Sequence, residues 1–180
     1  MKRSQKRNLV LDADVIIHFF EGECALLLGK ILQEFNILVP DIVFHELKKN
    51  PSTRDMYERL LTTDFIQEIS LDNDGEARKI YLQLLKAKKG NGESACMALC
   101  LAHGMVLASS NLTDTLAWCQ QNNISYLTTM DILQLAYESK IMDKADCDYF
   151  IYNVKSKGSK LIPGIDKIED YQARKKAGLL

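Results

Sequence analysis

Short apolar runs alternate with helix-period segments along most of this chain, and that alternation leaves few folds open. Residues 8–12 (NLVLD), 36–40 (NILVP), 65–71 (FIQEISL), 105–108 (MVLA) and 124–127 read as strands. Residues 15–20 prolong the first run until Glu21-Gly22-Glu23 breaks it. Helical spacing falls over 24–35, 56–61, 74–88, 93–103 and 112–121, with one further helix opening at Asp41 as its N-cap. Thr128–Asp131 reads as a capping box for a helix over 132–139, and 143–154 is helical too. Strands interleaved with helices predict an α/β protein, a three-layer α/β/α sandwich around a parallel sheet of four to five strands. Residues 65–71 alternate apolar and polar, as a half-exposed edge strand does.

The 180 residues, 47% hydrophobic and 26% charged, suffice for one soluble domain, and no apolar run reaches the roughly 20 residues that span a bilayer. The basic, then apolar, start has the outline of a signal peptide, but Asp12 and Asp14 interrupt it and no small-residue cleavage site follows, so the cytoplasm is the expected compartment. Residues 1–154 are expected to form the domain and 155–180 a basic extension, joined by a flexible link over 156–163. Both ends are basic, +4 over 2–7 and +4 over 155–180, which leaves −9 on the body of a chain with net charge −1. That pattern suits a central cation with phosphate at the periphery; solvated termini explain it equally well. The five cysteines lack CxxC spacing and read as buried thiols. Cys96, Cys100 and His103 share helical spacing, but ACMALCLAHG is apolar nearly all round and reads as a core helix rather than a zinc site. Trp118 likewise reads as core.

Four acids stand where chemistry collects in such a sheet. Asp12 ends the first strand, and Glu46 lies about one turn into the helix after the second. Glu93 opens a helix just after Gly92, and Asp114 opens the helix after MVLA, three residues beyond Asn111. Strand carboxyl ends and helix amino ends share one rim, so topology places all four on one side. Taken singly, three have structural readings: Asp114 at N3, Glu93 favoured by the helix dipole, Glu46 on a solvated face. Asp12 is different. Flanked by apolar residues, it loses several kcal/mol if buried and ionised without a partner. Asp14 points the same way if the strand continues, or caps the next helix if it does not.

Oxygen ligands without recurring His or Cys select Mg²⁺ or Mn²⁺ over zinc, and such ions serve phosphodiester hydrolysis. His45, preceding Glu46 on a helix, should face away from it, and neither it nor His18 is expected to act as general base. Lys86, Lys88 and Lys89, beside Glu93, are the candidate contacts to a substrate's phosphodiester backbone; loop lysines are also often merely solvated. A phosphatase-like reading of LDADV fails because VIIHFF follows where a small, polar, phosphate-holding loop is needed.

The order LDADVIIHF, VPDIVFHEL, GNGESACMALCLAHG and LASSNLTD, over residues 8–140, resembles the PIN-domain nucleases, most nearly the GxGE branch that includes standalone toxin-like ribonucleases. The resemblance implies a PIN-like fold with Asp12, Glu46, Glu93 and Asp114 as catalytic residues. Asp12, Glu93 and Asp114 would be metal ligands, supported by Asp14, Ser109 and Asn111. It also implies Mg²⁺ or Mn²⁺, an RNA substrate, a homodimer, and a protein antitoxin as partner in a toxin–antitoxin pair. Asp14 stands where Asn, Ser or Thr is common, and Ser109-Ser110 where some members carry another Asp, which leaves the number of ions open. The competing expectation is a catalytically inactive PIN-like module that binds RNA or a protein.

Overall fold

A computed structural model describes residues 6–87, 89–111 and 115–180. Lys88 and Asp114, together with the basic head at Lys2 and Arg3, lie outside the described residues. β1 (Arg7–Leu11), β2 (Phe35–Pro40), β3 (Ile66–Ile69), β4 (Val106–Ala108) and β5 (Tyr126–Leu127) form one parallel sheet in the order β3-β2-β1-β4-β5. In the central strand, Leu9, Val10 and Leu11 are all fully buried, so helices cover both faces and the expected three-layer architecture holds. Pairing sets Leu9 beside Ile37 on one side and Val106 on the other. β3 is an edge strand with Gln67 and Glu68 exposed, as its alternation predicted.

The helices are α1 (Ala13–Glu21), α2 (Leu28–Ile31), α3 (Asp41–Leu47), α4 (Pro51–Leu61), α5 (Gly75–Lys86), α6 (Asn91–His103), α7 (Thr115–Gln121), α8 (Thr129–Glu138), α9 (Lys144–Ser156) and α10 (Ile168–Lys176). α6 packs across β1, β2 and β4 and is buried continuously from Ser94 to Cys100, the all-round apolar helix that its sequence describes. Gly104 ends it at φ +62°, where a residue without Cβ is at no disadvantage. All five cysteines are buried thiols, and His103 pairs with Asp74, the N-cap of α5, instead of turning toward Cys100. Burial pushes the Cys96 and Cys100 thiols well up. No helix among the described residues is long and apolar enough to cross a membrane.

Three local expectations need correction. Residues 15–20 do not extend the strand: Asp12 caps α1, whose inner face is Val15, Ile16 and Phe19. The β-branched run Val15-Ile16-Ile17 favours a strand locally, but burying that face outweighs propensity differences of a few tenths of a kcal/mol per residue. The single helix over 24–35 is instead a 3₁₀ turn, Ala25–Leu27, and the four-residue α2, while Phe35 opens β2 beside Arg7. Pro40, not Asp41, caps α3; Asp41 takes its first helical position and accepts from the Ile42 amide at 2.8 Å.

The C-terminal segment docks. α9 runs through residue 155, and Ile165, Ile168 and Tyr171 are buried in the same core as the sheet. Asp148 accepts the Ile168 amide at 2.9 Å, satisfying a donor at the start of α10. The Tyr171 hydroxyl donates to Asp131 Oδ1 at 2.7 Å, and Lys175 reaches the same oxygen. Asp131 also completes the capping box of α8 with Thr128, so one carboxylate ties a helix start to the tail.

Candidate functional site

The strand order reverses at β1. The chain builds outward through β2 and β3, then crosses to β4 and β5 on the other side. A crevice opens at the carboxyl ends of the two strands that flank such a switch point, here β1 and β4. Asp12 follows β1 and Ser109 follows β4. The Asp12 amide donates to the Ala108 carbonyl at 2.9 Å, so the ladder itself holds the two segments together.

Asp12 Oδ1 accepts from the Ala13 amide at 2.8 Å, the bond that caps α1, and Oδ2 accepts from the Ser109 hydroxyl at 3.1 Å. Asp14, in the first turn of α1, is brought to the same hydroxyl: its Oδ2 lies 3.5 Å from Ser109 Oγ and accepts from the Ser110 amide at 2.8 Å. One hydroxyl proton cannot serve both carboxylates at once. Asp14 Oδ1 is buried and has no hydrogen-bond partner among the described residues. Neither alternative for Asp14 holds as stated: β1 ends at Leu11, and Asp12, not Asp14, caps α1. Asp14 shares a cleft with Asp12 although the strand does not continue, because the helix starts between them.

Glu93, in the first turn of α6, is held by the Asn111 side-chain amide at 3.1 Å and by the Thr115 hydroxyl, both to Oε1. Its charge adds to those of the two aspartates. Burial pushes the Asp12 carboxyl up to about 8, with Asp14 contributing next; burial pushes Asp14 to about 6, with Glu93 adding to it. Asp12, Asp14, Glu93, Ser109 and Asn111 therefore form one constellation. Among the described residues, no three Asp, Glu, His or Cys side chains close into a ready-made metal cage.

Glu46 is placed differently. Its Oε1 accepts from the Gly92 amide at 3.0 Å, an orphan donor of the first turn of α6, whose N-cap Gly90 has no side chain to offer. A Cβ on Gly92 would lie 2.5 Å from Glu46 Oε2, so the glycine leaves room for the carboxylate. Glu46 thus braces the turn that presents Glu93. Of the lysines, Lys86 is exposed in the last turn of α5 and Lys89 is half-buried before α6; among the described residues neither pairs with an acid of the site.

His18 is buried, and its Nδ1 sits 2.9 Å from Thr129 Oγ1 and 3.3 Å from Ser110 Oγ. Burial pushes it down to about 4, so it is a neutral hydrogen-bonding group, not a proton acceptor near pH 7. His45 is exposed and stacks on Phe44 away from the acids, as its helical position predicted. Sequence reading passed over Thr115, and it noted Ser110 and Gly92 without giving either a part in holding the acids. Only GNG before Glu93 signalled that a backbone approach was needed there.

No family model and no curated protein sequence matches the chain. Among solved structures it is similar to one chain of the crystal structure of VapBC2 from Rickettsia felis bound to a DNA fragment from their promoter. Identity is 14% and the TM-score 0.46, over 67% of this chain and 98% of that one. A likeness of that size carries no functional inference.

Proposed function

We propose that this chain is a divalent-metal-dependent endoribonuclease of the PIN-domain type. The observation that carries the reading is the Asp12–Asp14 pair: two carboxylates at a sheet's switch point compete for one hydroxyl, and among the described residues Asp14 Oδ1 is buried without a partner. An arrangement of that kind is costly unless protons or a cation offset it. The donor set is all oxygen, which fits Mg²⁺ or Mn²⁺. Mg²⁺ needs only one or two carboxylates, keeps waters and takes substrate phosphate as ligand, which the Asp12–Asp14 pair suits.

Asp12 and Asp14 would hold the ion, with Glu93 beside it and Asp114 as the further ligand the family resemblance supplies. When bound, such an ion offsets the charge of both acids and of the phosphodiester and makes nearby water more acidic. The protein's own part is orientation. Ser109 and the Ser110 amide fix the two aspartates, Asn111 and Thr115 fix Glu93, and Glu46 steadies the helix start beneath it. Neutral His18 locks Ser110 through hydrogen bonds and carries no proton at the reaction.

The test is cleavage of single-stranded RNA by wild type and Asp12→Asn, with Mn²⁺ added and then chelated. Activity that needs both the metal and Asp12 is expected; equal cleavage under all conditions ends the enzymatic reading and favours a binding module. The resemblance also carries a protein antitoxin. A neighbouring gene product that co-purifies with the chain and suppresses cleavage is expected, and a small partner that binds without inhibiting counts against that role.

A further inference from the structure

A groove of about 580 Å³ opens beside Asp14, in the size range of ligand clefts, ~300–1,000 Å³. Asp14, His18 and Ser110 line one end of it. The first turn of α8 forms one wall and residues 160–163 of the docked C-terminal segment form another. The groove therefore exists only because the tail folds back.

Its chemistry divides by side. Leu161 and Ile162 are half-buried and give an aliphatic wall, while Lys160 is exposed. The capping box of α8 uses the Thr128 and Asp131 amides, which leaves those of Thr129 and Met130 without a partner among the described residues. Free amides at the start of a ten-residue helix favour an anion. His18 is only 5% exposed, its Nδ1 is engaged, and its Nε2 has no partner among the described residues. On this otherwise buried side chain, Nε2 is the ring position left open to a hydrogen bond from the groove.

We propose that this groove seats the nucleotide adjoining the scissile phosphodiester of single-stranded RNA, with Lys160 and the α8 amides on its phosphate and Leu161 and Ile162 against its base. The assignment rests on the ribonuclease reading. It moves the substrate contacts from the lysines before Glu93 to the C-terminal segment, on the Asp14 side of the acids.

Lys160→Ala and Leu161→Ala in the full chain test it, with a short fluorescent single-stranded RNA and Mn²⁺. Cleavage gives KM and kcat, and anisotropy in a Glu93→Gln background gives binding. Lys160→Ala should raise KM about fivefold, with kcat carrying none of the loss, and should reduce the slope of log binding constant against log salt by about 0.7. Leu161→Ala should weaken binding at every salt concentration with the slope kept. Thermal unfolding of each variant separates these effects from a loosened fold. If wild type cleaves and both variants match it in KM and binding, the groove assignment is overturned and the nuclease reading stands. If wild type neither binds nor cleaves the RNA, both fall.

Discussion

The Glu46 carboxylate occupies the space that a side chain on Gly92 would need, and it accepts that residue's amide hydrogen at 3.0 Å. A residue 46 positions earlier in the chain thereby caps the helix that presents Glu93. The coupling makes a sign-changing prediction. Alanine in place of glycine favours a helix by about 0.5–1 kcal/mol. In wild type, Gly92→Ala displaces Glu46 and loses a cap of about 1 kcal/mol, so the net is neutral to destabilising. In a Glu46→Ala background the same change should stabilise. A double-mutant cycle by denaturant unfolding measures it, and equal effects in both backgrounds refute the coupling.

Stability should depend on pH and metal through Asp12. Its folded carboxyl is raised to about 8 from an ordinary 3.8, so the folded state holds a proton that the unfolded chain has lost. That contribution is present at low pH and disappears as pH rises through about 8. His18, lowered to about 4, acts oppositely between roughly 4 and 6.5, where acid protonates the unfolded chain first. The clean window is therefore about pH 6.5 to 8. There the metal-free Tm should fall as pH rises, and Asp12→Asn should flatten the slope. Saturating Mn²⁺ should raise the Tm most at the alkaline end, because binding displaces protons. A metal-free Tm that is flat across this window, or blind to Mn²⁺, counts against the cation site.

Thr115 and Asn111 hold Glu93 through the same oxygen. Groups that orient a metal-site ligand typically matter by 10–100-fold when removed. Thr115→Val should accordingly cut RNA cleavage by about that factor and raise the Mn²⁺ concentration needed for half-maximal rate, with little change in Tm. Unchanged kinetics would mean that Glu93 needs no such support.

Asp131 serves the α8 cap, Tyr171 and Lys175 together. Asp131→Asn should cost about 1–3 kcal/mol, since it weakens a cap and charge-assisted hydrogen bonds at once. Limited proteolysis should then begin near 157–164, before the body of the protein is cut. Tyr171→Phe should add little on top of Asp131→Asn, and full additivity of the two would show that they do not act through the same bond.

What the sequence determined by itself was everything carried by local period and local capping. Apolar runs of strand length, interleaved with helices, fixed the α/β class and put Asp12, Glu46 and Glu93 at one rim. The unbroken apolarity of 95–102 gave the central helix, and Thr128 with Asp131 gave a helix start. Tertiary structure decided the rest, because the deciding contacts join residues far apart in the chain, and no local pattern records them. It made Ala13–Glu21 a helix against the preference of its β-branched run, and so brought Asp14 to Ser109, 95 residues away. It turned Glu46 to Gly92 and folded the tail into the wall of a groove beside Asp14, where burying Ile165, Ile168 and Tyr171 outweighed the freedom of a charged end.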